Sequence, residues 1–63
     1  MVNKRDAYGN TCLHYAARSN MASVVKDLCD FPGIDLLCLN NSDNSALHVA
    51  ALNNNLAVVK ILV

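Results

Sequence analysis

The stretch from Asp6 to Ala17 reads Asp-Ala-Tyr-Gly-Asn-Thr-Cys-Leu-His-Tyr-Ala-Ala, and 34 residues later Asn40 to Ala51 reads Asn-Asn-Ser-Asp-Asn-Ser-Ala-Leu-His-Val-Ala-Ala. Set against each other, residues 6–29 and 40–63 share ten identities in 24 pairs: Asn10/Asn44, Leu13/Leu47, His14/His48, Ala16/Ala50, Ala17/Ala51, Asn20/Asn54, Val24/Val58, Val25/Val59, Lys26/Lys60 and Leu28/Leu62. Most of these are apolar at helical spacing or suited to caps and turns, so the copies share a packing scheme rather than a reaction.

Each copy reads as a turn followed by two short helices. Val2 to Asn10 has no helical period, and Gly9 supplies the positive φ of a tight turn. Thr11 stands before the face Leu13, Ala16, Ala17 as an N-cap, which predicts a helix from about Cys12 to Ser19. Asn20 is placed to close it in the left-handed conformation. A second helix is predicted from near Ala22, burying Val24, Val25, Leu28 and Cys29 and leaving Lys26 and Asp27 in water. Asp30-Phe31-Pro32-Gly33 stops it. In the second copy Ser45 replaces Thr11 as cap, and Asp43 stands where Gly9 stood, in a region that Asp tolerates better than most residues. The expected core is Leu13, Ala16, Ala17, Val24, Val25, Leu28, Leu47, Ala50, Ala51, Val58 and Val59.

Composition narrows the function. The 63 residues are 54% hydrophobic and carry five basic and five acidic side chains. A unit of this size buries only about 60% of its unfolded surface, so its stability is expected to be marginal. Lys4, Arg5 and Arg18 are too few and too scattered for a nucleic-acid patch. Cys12, Cys29 and Cys38 have no Cys-x-x-Cys spacing, which suggests neither a disulfide framework nor zinc and fits reduced thiols in an intracellular protein, cytoplasmic or nuclear. The N-terminus lacks the apolar run of a secretory signal, and the longest apolar stretch, Leu56 to Val63, falls far short of the roughly 20 residues that cross a bilayer. Without a secretory signal, Asn40-Asn41-Ser42 is read as a chance match to the glycosylation pattern.

The histidines invite a catalytic reading, but their spacing argues for structure. Each follows its cap by three residues, and as a metal pair they lack the three or four ligands that a site needs. Cys12 and His14, two apart on a helix, point to different sides and do not make a nucleophile and base. No Gly-rich phosphate loop and no recurring pair of carboxylates is present. The reading is therefore of a non-enzyme without cofactor or metal.

Gly9-x-Thr11-x-Leu13-His14-x-Ala16-Ala17, with Asn20, Val24-Val25 and Leu28 at their offsets, resembles the ankyrin repeat, whose hallmark is Thr-Pro-Leu-His-x-Ala. The resemblance covers nearly the whole chain. It implies an all-α solenoid of two helix-turn-helix repeats with connecting β-turn loops: repeat one over about 2–35 and repeat two, incomplete, over about 36–63. In similar repeats the imidazole bonds to the Thr or Ser hydroxyl and to the neighbouring turn. The sequence departs from the family in four places. Cys12 and Ala46 replace the Pro, Asn20 and Asn54 the inter-helix Gly, one extra residue falls near Asp30 to Pro32, and Asp35-Leu36-Leu37 replaces Asp-Val-Asn.

The function the resemblance implies is protein–protein interaction or scaffolding, with an unidentified protein as partner, neither nucleic acid nor membrane. The alternative is a segment of the ankyrin array of a larger enzyme, channel or Rel/NF-kappa-B inhibitor-like regulator. The binding surface carries over as Arg5, Ala7, Tyr8, Asn10, Arg18 and Ser19 in the first copy and Leu39, Asn41, Ser42, Asn44, Leu52 and Asn53 in the second, with Tyr8 as anchor. Apolar residues of the last helix, Leu56, Ile61, Leu62 and Val63, predict self-association through uncapped repeat ends, partial unfolding, or origin in a longer protein.

Overall fold

A computed structural model describes residues 3–63. Val2, read above as the start of the first repeat, lies outside the described residues. Four helices follow one another, α1 Cys12–Arg18, α2 Ala22–Cys29, α3 Ala46–Leu52 and α4 Leu56–Leu62, and no strand occurs among the described residues. This is the all-α repeat architecture. Links of only three residues, 19–21 and 53–55, join α1 to α2 and α3 to α4, so each pair folds back as a hairpin. The hairpins stack with α1 on α3 and α2 on α4.

The helix ends follow from the residues that occupy them. Thr11 and Ser45 are extended and accept from the amides of His14 and His48, and each histidine side chain returns a bond to the cap's own backbone, giving a capping box at both helices. At the other end Asn20 and Asn54 take φ of +56° and +57°, as their position after the helix predicts. The next amide then closes the turn, Met21 N donating to Ala16 O at 3.0 Å and Asn55 N to Ala50 O at 2.9 Å. In the second turn Asp43, standing where Gly9 stood, takes the left-handed conformation at φ +60°.

The core differs from the expected one in a regular way. Leu13, Ala16, Ala17, Val25, Ala46, Ala50 and Val58 form its centre, and Val49 is also buried. Val24 and Ala51, expected inside, are exposed, while Leu28, Leu47, Cys29 and Val59 are half-buried. Ala46 and Val49 are buried although their counterparts Cys12 and Tyr15 are exposed. The reason is that the two repeats meet through opposite sides. The first turns Leu13, Ala17 and Val25 towards the second; the second turns Ala46, Val49 and Val58 back towards the first. Equal sequence positions therefore have unequal burial, as in any stack where a repeat contacts a neighbour on each side by different residues. Complete burial of Val25 and Val58 is worth roughly 1.5–3 kcal/mol per side chain.

Candidate protein-binding surface

The turns that carry most of the candidate residues are built on one plan. In the first, Asp6 Oδ1 accepts from the amides of Tyr8 and Asn10, both at 2.9 Å. Gly9 N donates to Asp6 O at 3.0 Å and Asp6 N to Asn10 O at 2.9 Å. In the second, Asn40 takes the part of Asp6: its Oδ1 accepts from Ser42 N at 2.9 Å and Asn44 N at 3.0 Å, and its backbone makes the same two bonds, with Asp43 and Asn44. These are Asx turns, in which a short side chain replaces a backbone acceptor and fixes the loop. Asp6 also accepts from the Tyr15 hydroxyl. That bond holds the Asp6 carboxyl below its ordinary pKa and pushes the Tyr15 hydroxyl above its own.

Cross-bonds tie turn to turn. Asn41 N donates to Tyr8 O at 2.9 Å and Asn41 Nδ2 to Ala7 O at 3.0 Å. Arg5 spans both turns, Nε to Gly9 O at 3.2 Å and Nη2 to Leu39 O at 2.9 Å. Asn40 Nδ2 donates to Asn10 Oδ1 at 2.9 Å. Nearer the helices, Asn3 receives the Asp35 amide at 2.9 Å and donates to Gly33 O at 2.7 Å, and Asn55 Nδ2 donates to Ala17 O at 2.6 Å. Leu37 occupies the position equivalent to Asn3 and has no side chain able to repeat its bonds.

His14 is the buried link of this ladder, 2% exposed. Its Nδ1 accepts the Thr11 amide at 3.0 Å and lies 2.9 Å from the Thr11 hydroxyl. A main-chain N–H can only donate, so the imidazole proton resides on Nε2, which donates to Asn44 O at 2.8 Å. His48 makes the same bonds to Ser45, at 3.2 and 2.9 Å, but is exposed. Both histidines are accounted for by capping and, for His14, by the bond between repeats.

The candidate residues divide by what their side chains do. Tyr8, 73% exposed, projects from the tip of the fixed first turn, with Ala7 beside it and Ser42 on the second tip. Arg18 and Ser19 end α1 at the surface; Leu52, 74% exposed, stands at the equivalent place on α3, followed by Asn53, whose Nδ2 is turned back to Val49 O at 2.8 Å. Arg5, Asn10 and Asn41 bond to the opposite turn through their side chains, while the Leu39 carbonyl accepts from Arg5 and the Asn44 carbonyl from His14 in α1. They shape the surface by fixing it. Sequence reasoning missed Asp6, Asn40, Asn3 and Asn55 as its builders. For Asp6 and Asn40 the signal was present, an Asx acceptor two residues before an amide it can reach; for Asn3 and Asn55 the repeat gives none, because Leu37 and Met21 stand at their counterparts.

Two short hairpins stacked through small apolar residues, joined by a ladder of turn bonds and presenting variable tips in a row, define a repeat module of the solenoid class. The chain belongs to the ankyrin repeat family: the family model described as ankyrin repeats, in three copies, matches residues 1–63. It is 37% identical over 62 residues to BTB/POZ domain-containing protein 1 of Schizosaccharomyces pombe and 34% identical over 62 residues to I-Kappa-B like protein G1 of Microplitis demolitor bracovirus, in each case over 97% of the chain. It is 40% identical over 42 residues, 67% of the chain, to a protein of Rickettsia bellii named as an ankyrin repeat protein. The chain spans 5%, 35% and 43% of the lengths of these relatives. Ankyrin repeats are protein-interaction modules.

Proposed function

We propose that the chain binds a partner protein through the turn tips and the exposed ends of α1 and α3, with Tyr8 as anchor, and that it has no catalytic role of its own. The observation that carries this reading is the contrast at the first turn. A large aromatic ring is 73% exposed on a backbone held by the Asp6 and Asn41 bonds. Such a ring offers a partner a wide apolar face at little cost in conformational entropy, the composition of an interface hot spot. Arg18, Ser42 and Leu52 extend the surface with a charge, a hydroxyl and an aliphatic group. The test is affinity selection of a partner followed by Tyr8→Ala and Arg18→Ala, with the melting temperature as control. Binding weakened by about 2 kcal/mol or more for Tyr8→Ala is expected. Full binding by both variants, with loss on Lys26→Ala in α2, would place the surface on the wrong side.

A second reading is favoured by the 34% identity to the I-Kappa-B like protein: the chain is an arm of a Rel/NF-kappa-B inhibitor-like regulator. Pull-down with a Rel-homology domain tests it, and absence of binding by the full-length protein removes it while leaving the first reading in place.

A further inference from the structure

Arg5 brings to the turns something that joining them does not require. The turns are already linked by Asn41, whose amide donates to Tyr8 O at 2.9 Å and whose Nδ2 donates to Ala7 O at 3.0 Å, and by Asn40 Nδ2, which donates to Asn10 Oδ1 at 2.9 Å. Neutral groups make all three links. The Arg5 guanidinium adds bonds to Gly9 O and Leu39 O, which are again neutral acceptors, so its plane is fixed while its charge is not neutralised. Asp6, the next residue, is engaged elsewhere, Oδ1 with the amides of Tyr8 and Asn10 and Oδ2 with the Tyr15 hydroxyl. A guanidinium carries five N–H donors in a fixed fork; the clamp uses Nε and Nη2, and Nη1 makes no bond among the described residues. Arg5 is exposed, and a Cβ on Gly9 would stand 2.9 Å from Nη2, so the group lies against Gly9, the chain neighbour of Tyr8. The second copy has Leu39 at this position, so the charge belongs to the first turn and not to the repeated scheme.

We propose that the partner offers the turn tips an acidic peptide segment, with a carboxylate on the open edge of the Arg5 guanidinium and an adjoining apolar group on the Tyr8 ring. This rests on the reading of the turn tips as the binding surface. A carboxylate matches the guanidinium fork with two parallel hydrogen bonds. The Gly9 and Leu39 carbonyls hold that fork in place before a partner arrives, so less side-chain freedom is lost on binding. A singly charged carboxylate suits the site better than a phosphate group. Phosphate carries about −1.5 to −2 charges and is met by clusters of arginines, whereas this guanidinium is clamped to a turn whose tip bears the exposed Asp43.

Selection from a displayed library of random peptides on the protein tests this. Each recovered peptide is synthesised as selected and again with every Asp and Glu replaced by Asn and Gln, and the readout is the ratio of the two affinities. The recovered peptides are expected to be rich in Asp and Glu. The acidic form should bind about tenfold more tightly than its amide form, or about 1.4 kcal/mol, and added salt should shrink that preference. Arg5→Gln should bind both forms equally, and Arg5→Lys, which keeps the charge without the fork, should retain part of the preference. Any loosening of the turns by these substitutions weakens both forms alike and leaves the ratio unmoved. Tyr8→Ala separates this inference from the reading beneath it. Full binding by Tyr8→Ala with the acidic preference still lost in Arg5→Gln would remove Tyr8 as anchor and leave the Arg5 site standing. A library that yields no acidic peptide, a preference that survives Arg5→Gln, or tighter binding when phosphoserine replaces the acidic residues overturns the proposal.

Discussion

Replacing His14 by Ala removes a buried side chain that bonds at once to its own cap and to the next repeat, and the structure sets the size of the loss. Thr11 is 3% exposed, so without Nδ1 its amide becomes a desolvated orphan, at roughly 1–3 kcal/mol. Asn44 is half-buried, so its carbonyl regains water and forfeits only the net value of a hydrogen bond, roughly 0.5–1.5 kcal/mol. Together His14→Ala should cost about 1.5–4.5 kcal/mol. His48 occupies the same position in the repeat, caps the same way and shares every local feature, but it is exposed and bonds to no other repeat. Ser45 is 7% exposed, so its amide loses its acceptor much as that of Thr11 does, but no bond between repeats is lost, and His48→Ala should cost roughly 1–3 kcal/mol. Urea unfolding followed by helical circular dichroism, with trimethylamine oxide added so that a weakened variant still folds, measures both on one scale. Equal losses would refute the reasoning, because they would mean that the local capping box accounts for the effect and the Asn44 bond contributes nothing.

Other outcomes follow from the same geometry. Ala17 is fully buried, so Ala17→Leu should overpack the stack and cost about 1–3 kcal/mol, whereas Ala51→Leu at the equivalent, exposed position should stay within about 0.5 kcal/mol of the parent in thermal unfolding. Gly33 at φ +82° has nothing within 4 Å of a Cβ, so Gly33→Ala should cost only the conformational penalty of about 1 kcal/mol. Gly9→Ala adds the collision with the Asn41 amide, and faster exchange of that amide with deuterated water, beyond any change in Gly33→Ala, is the signature to look for. The Asp6–Tyr15 bond makes stability depend on pH at both extremes. The Asp6 folded pKa lies below its ordinary 3.8, so its contribution is complete above that value and is lost as pH falls through the folded pKa. The Tyr15 folded pKa lies above its ordinary 10.0, so its contribution is complete below that value and is lost as pH rises through the folded pKa. Tyr15→Phe should flatten both limbs of the stability profile; unchanged limbs would show that the bond is not made in solution.

The helices, caps and left-handed stops were legible in the sequence because each rests on residues close in the chain. Thr11 with His14, Ser45 with His48, and Asn20 and Asn54 after their helices are local devices, and repetition marks them twice. Burial was less legible. The repeat alignment treats Val24 and Val58, or Ala17 and Ala51, as equals, but burial depends on which side the neighbour occupies, and that is a property of the stack. The turn ladder was the least legible part. Arg5, Asn10 and Asn41 read as polar loop residues available to a partner, and only their distances to the opposite turn show them bound to it. Tyr8, in contrast, stands out in both views, as an aromatic in a turn and as a ring turned to solvent.

The two repeats bury opposite sides of one shared pattern, leaving Tyr8 and the turn tips as the outward surface. Solvent paramagnetic relaxation measured on methyl and aromatic protons tests it most directly, using a soluble gadolinium chelate at a protein concentration where the chain is monomeric. The methyls of Val25, Val58, Ala17 and Ala50 should be protected, and those of Val24 and Ala51, with the ring of Tyr8, strongly relaxed. Protection of Val24 and Ala51 equal to that of Val25 and Ala17, or a shielded Tyr8 ring, would contradict it.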